Sequence, residues 1–144
     1  MDTSSVIIIL LGALFAGVAG WLLAGGGALA LDYGYHAQRW WNGYPFDTYR
    51  SRALAHTLDA LRDEAGVERI DVVIPSHYHD DHVAGIPFLQ RSQGTECWAH
   101  EGFADLLEQP DAHQFPCDNP IPTQVHRRLR DGETVTWEGI EFHL

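Results

Sequence analysis

The sequence predicts an α/β fold. Three observations carry that reading. An amphipathic stretch over residues 51–65 runs into an apolar, strand-like segment, Ile70-Asp71-Val72-Val73-Ile74. A strand-like 96–99 is followed by a helical 101–108. The chain then closes on two strand-like segments joined by Glu138-Gly139. At 144 residues there is room for one ordinary domain.

From the N-terminus, residues 6–24 carry no charge over 19 positions, a length that just reaches across a bilayer. A membrane anchor or an export signal is one reading. The leader MDTSS has no Arg or Lys, however, and the first basic residue is Arg39, so the usual positive flank is missing. The competing reading makes residues 21–24 a strand, 25–27 a glycine turn and 28–31 a second strand. Residues 1–17 are then an apolar N-terminal segment and 18–144 the domain, in a chain read as cytoplasmic rather than membrane-anchored. Asp32-Tyr33-Gly34 ends the second strand. Residues 35–50 are aromatic and irregular, read as a packed loop or a pocket wall.

Ser51 is placed to cap a helix whose Leu54, Leu58, Leu61 and Ala65 share one face, and Gly66 stops it. His56 lies off that stripe and reads as a surface residue. The run 70–74 has the continuous apolar character of a strand in the middle of a covered sheet, and Pro75 ends it. A helix from about Val83 to Arg91 follows. Residues 110–122 hold four of the seven prolines and are loop.

Net charge is −11 and the pI about 5.0, which disfavours a nucleic acid partner and leaves a small-molecule substrate as the expectation. Cys97 and Cys117 lack the spacing of a zinc motif and read as free thiols of a reducing compartment.

The chemistry concentrates in PSHYHDDHVAGI, residues 75–86, immediately beyond the end of the 70–74 strand, where open α/β sheets place their ligands. His77 and His79 stand at i and i+2, and in a loop backbone both rings can aim at one point. Asp81 and His82 can serve a second point nearby. That makes two half-built metal sites, with nitrogen and carboxylate donors that suit zinc. A hydroxide shared by two zinc ions would attack a carbonyl or phosphoryl group. Asp80 falls between the ligands and reads as solvent-facing or supporting.

His77-Tyr78-His79-Asp80-Asp81-His82 resembles the HxHxDH signature of the metallo-β-lactamase-fold superfamily. ALALDYG (28–34), IDVVIPSH (70–77), HVAGIPFL (82–89) and RDGETVTWEGIEFHL (130–144) resemble its flanking segments. The similarity covers roughly residues 18–144. It implies the N-terminal half of a metallo-β-lactamase-type αββα sandwich and a zinc-dependent hydrolase of an ester, thioester or lactam-type bond. By resemblance His77 and His79 bind the first zinc and Asp81 and His82 the second. Asp81 also orients the bridging hydroxide as the catalytic residue, and Asp32 supports the site. Iron in the same ligands, as in the superfamily's redox members, is the alternative cofactor. A non-catalytic, membrane-attached fragment is the alternative outside enzymes. The family pattern has three further ligands: a histidine in a Pro-Gly-His-like turn, a bridging aspartate and a late histidine. This sequence has none of them, so the expectation is an incomplete site with impaired activity. His100, His113, His126 and His143 lack the context of ligands.

Overall fold

The computed structural model describes residues 7–9, 20–24, 27–34, 58–59, 61–113 and 121–144. Strands β1 (Ile7–Ile9), β2 (Gly20–Ala24), β3 (Gly27–Leu31), β4 (Arg69–Ile74), β5 (Glu96–His100) and β6 (Arg127–Leu129) form a sheet in that order. Strands β7 (Thr134–Trp137) and β8 (Ile140–His143) form a separate antiparallel pair. Helix α1 comprises the described helical residues 58–59 and 61–65. Helices α2 (Asp80–Val83), α3 (Ile86–Gln93) and α4 (Glu101–Glu108) follow.

The sheet is antiparallel at β1–β2–β3 and parallel from β3 through β4 and β5 to β6. Ala24 pairs with Gly27, on either side of the predicted glycine turn. The described residues of the uncharged stretch 6–24, namely 7–9 and 20–24, are strands. Among the described residues no helix is long and apolar enough to cross a membrane. The predicted aromatic loop, Leu54 and His56 lie outside the described residues.

Burial sorts the chain into three layers. One face of the main sheet, with Ala28, Ala30, Ile70, Val73, Cys97 and Ala99, packs on Leu61, Val83, Ile86, Leu89 and Leu107 of the helices. The opposite face, with Leu29, Val72, Trp98 and Leu129, packs on Val135 and Trp137 of β7. Helix, sheet and sheet are three of the four layers of the αββα arrangement. Strand β4 lies between β3 and β5, as its largely apolar run requires.

The charged interruption in that run has a local cause. Ala28 pairs with Ile70 and Leu29 with Val72, so Asp71 is an unpaired bulge that keeps Val72 and Val73 in phase with their neighbours. Its carboxylate pairs with Arg69 and lies against Gly27, where a Cβ would fall 1.7 Å from Asp71 Oδ2.

Two elements differ from expectation. The single helix expected over 83–91 is two, α2 and α3. The Gly85 N–H is drawn to the Tyr33 carbonyl (3.0 Å), and Pro87 opens α3 because it has no N–H to give. Strand β6 was not expected at all: its Arg127-Arg128-Leu129 is held by parallel pairing to β5 and by the buried Leu129. The β7–β8 turn is as read: Glu138 (φ 48°) and Gly139 (φ 78°) are both left-handed, as a two-residue primed turn needs.

Candidate metal centre

The site begins where β3 and β4 end side by side. After β3, Asp32 adopts φ 61°, a left-handed conformation that aspartate tolerates better than most residues, and the residue is 2% exposed. The Asp32 N–H donates to the Ile74 carbonyl (3.1 Å) and the Tyr33 N–H to the His82 carbonyl (2.8 Å). These bonds bind the Asp-x-Gly corner to both ends of the histidine turn. Gly34 completes the fit, since a Cβ there would sit 1.8 Å from the Asp81 carbonyl oxygen and 2.4 Å from the His82 nitrogen. The backbone of 81–82 rests directly on it.

The Asp32 carboxylate works from beneath. Its Oδ1 accepts from the Ser76 N–H at 2.6 Å and its Oδ2 from the Ser76 hydroxyl at 3.0 Å. His82 Nδ1 lies 2.9 Å from Oδ2, close in distance but without the alignment of a hydrogen bond. Above, His77 Nδ1 stands 2.9 Å from Ser76 Oγ, and His77 Nε2 stands 3.0 Å from His79 Nδ1. The His77 ring also lies 4.0 Å, centre to centre, from that of His82. Burial, and then the neighbouring His82 and His79 rings, hold His77 below the usual imidazole range, which favours the neutral ring that a metal takes.

Helix α2 turns the motif back on itself. The His79 carbonyl accepts from the N–H groups of His82 (2.9 Å) and Val83 (3.1 Å). His77, Asp81 and His82 are thereby brought together, each offering one donor atom within 4.8 Å of the others. Asp81, its side chain 49% exposed, puts Oδ2 3.6 Å from His82 Nε2. His79 stands on the other side of His77. The sequence suggested one pair of histidines and one Asp–His pair; in the structure His77 adjoins both His79 and the Asp81–His82 pair. Asp80 is buried rather than solvent-facing.

These donors fit a divalent ion. Two nitrogens sharing a tetrahedral zinc at about 2.05 Å are ~3.3 Å apart, close to the His77–His79 separation. Imidazole with carboxylate also suits iron. Three of the other described histidines are engaged locally. His100 Nδ1 accepts from the Gly102 N–H (3.1 Å) and caps α4, and His126 Nδ1 accepts from the Cys97 N–H (3.1 Å). His143 Nδ1 is 2.9 Å from Thr134 Oγ1 across β7–β8. Sequence reasoning missed Ser76, which touches both Asp32 and His77. Its place directly before the first histidine was the only available signal.

Comparison with known proteins agrees with this architecture. The subclass B3 metallo-beta-lactamase BJP-1 of Bradyrhizobium japonicum superposes with a TM-score of 0.61 at 17% identity, over 88% of this chain and 44% of that one. The class B3 di-zinc metallo-beta-lactamase LRA-12 from an Alaskan soil metagenome gives 0.60 at 13%, over 88% and 45%. The FEZ-1 metallo-beta-lactamase of Legionella gormanii gives 0.60 at 13%, over 89% and 46%. At these identities the likeness speaks for the fold, and the chain spans less than half the length of each. Among curated proteins none matches. The family described as the beta-lactamase superfamily domain matches residues 45–143. A match over that much of the chain, on a metallo-β-lactamase fold, establishes that the chain belongs to the beta-lactamase superfamily domain family.

Proposed function

We propose that this chain carries the first half of a zinc-dependent hydrolase site, in which His77, His79, Asp81 and His82 hold the metal. The bond cleaved is an ester, thioester or lactam-type bond of a small molecule. The observation behind this is the convergence of His77 on His79 at one side and on Asp81 and His82 at the other, at the end of β4. Zinc held there supplies a Lewis acid and brings the pKa of a water ligand towards neutrality. His77 contributes a neutral ring. Asp32, fixed beneath, keeps Ser76 and the turn in place. Asp81, half exposed, holds the metal and also orients the attacking water. The net charge of −11 agrees with a small substrate better than with a nucleic acid. Because the chain spans less than half of its structural neighbours, turnover belongs to the whole protein.

The test is elemental analysis and hydrolysis by a version extended to the neighbours' length, assayed on chromogenic lactam, thioester and ester substrates. Zinc in the protein, with hydrolysis lost at least ~100-fold in His79→Ala, is the expected result. Unchanged turnover in that variant rejects the proposal. Iron recovered from cells grown without added zinc would reassign the same donors to redox chemistry.

A further inference from the structure

We infer that Ser76 is a positioning residue that fixes His77 as its Nδ1–H tautomer, so that the Nε2 lone pair faces His79 before any metal arrives. The inference rests on the proposed metal-binding role of His77 and adds what sets that ring's donor atom.

Counting protons gives the direction of each bond. Asp32 lies buried, with Oδ1 taking the Ser76 N–H and Oδ2 3.0 Å from Ser76 Oγ. A carboxylate has only acceptors to offer. The single hydroxyl proton of Ser76 therefore points at Asp32. Ser76 Oγ has then only lone pairs left for His77 Nδ1, 2.9 Å away, so that nitrogen must carry the proton. A neutral ring has one N–H, which leaves Nε2 bare. In the 3.0 Å contact between His77 Nε2 and His79 Nδ1, His79 is then the donor. The chain of bonds runs one way, from His79 through His77 and Ser76 to Asp32, and its fixed end is a carboxylate at the end of the neighbouring strand β3.

The two rings consequently differ in the metal-free chain. His77 is preset, and metal can take Nε2 without moving a proton. His79 has its Nδ1 proton on the side facing His77 and must shift it to Nε2 before Nδ1 can become a donor atom. Removing the Ser76 hydroxyl frees His77 to adopt the Nε2–H form, which blocks the donor atom.

The experiment reads the tautomer directly. The ¹⁵N-labelled chain, kept metal-free with chelator at pH 7.5, is examined by long-range ¹H–¹⁵N correlation. His77 is assigned by difference against His77→Gln. Expected are a protonated Nδ1 and a bare Nε2 in the wild-type chain, the same in Ser76→Thr, and a shift towards Nε2–H in Ser76→Ala. Zinc affinity, from competition with a chromogenic chelator, should fall about 10–100-fold in Ser76→Ala and recover in Ser76→Thr. His77 found as Nε2–H in the wild-type chain overturns the inference, whether or not the alanine variant folds. So does a Ser76→Ala spectrum unchanged at His77. The tautomer needs no metal, so failure to bind zinc would count against the proposed function and leave the tautomer result standing.

Discussion

Two sets of histidines occupy this chain under different rules. His100 and His126 each give a ring nitrogen to a backbone N–H, one at the start of α4 and the other alongside β5. His143 meets Thr134 across the β7–β8 pair. Each ring lends a nitrogen to the completion of a regular element. His77, His79 and His82 sit beyond the end of β4, and their nitrogens face one another, Ser76 and two carboxylates. The chemistry of the residue is the same in both sets. What differs is whether a strand or helix has already claimed the nitrogen. A ring engaged by an element stabilises it, and a ring left at a strand's C-terminal end is available to a ligand.

The contrast can be broken most severely at Gly34. A methyl group there would meet the Asp81 carbonyl oxygen at 1.8 Å and the His82 nitrogen at 2.4 Å, both backbone atoms that no side-chain rotation can clear. Gly34→Ala should lower stability by at least ~3 kcal/mol in urea unfolding, beyond ordinary overpacking, and remove zinc binding with it. Asp32→Ala comes next. It leaves the Ser76 N–H without its acceptor, and about 2–3 kcal/mol of stability should go. Zinc affinity should fall as well, which a purely structural carboxylate would not produce.

The other set gives the control. His126→Ala should cost about 1–2 kcal/mol, because the Cys97 N–H loses its partner, and should leave zinc affinity unchanged. The smallest effect is expected at Cys97 itself. Burial pushes its thiol up to about 12. In a Cys117→Ser background it should resist a disulfide reagent at pH 8 until denaturant is added. The sign of the linkage follows from the raised value. The neutral buried thiol favours the folded chain fully below the unfolded thiol's pKa of about 8.5. That contribution declines as pH rises towards 12, so the urea midpoint should drift down between pH 8 and pH 10.

The sequence was legible where one segment decides its own structure. Ile70 to Ile74 could only be a buried strand, and Glu101–Glu108 forms as read. Glu138-Gly139 closes its hairpin for a reason local to two residues. What could not be read depends on segments far apart in the chain. Strand β6 has two arginines in three residues and exists because β5 offers it an edge. The break between α2 and α3 comes from Tyr33, more than fifty positions earlier. The same holds for the site. The i, i+2 spacing of His77 and His79 announced a shared point, but α2 carries Asp81 and His82 back to His77, and no spacing rule reveals that. Likewise the hydroxyl of Ser76 gains its role only because Asp32, 44 residues away, lies beneath it.

The most direct test is a zinc titration by chelator competition on three chains: wild type, His82→Ala and His126→Ala. Uptake by the wild-type chain, at least ~100-fold weaker binding in His82→Ala and wild-type binding in His126→Ala would establish the end of β4 as the metal site. No uptake by the wild-type chain, or equal loss in the two variants, would contradict it.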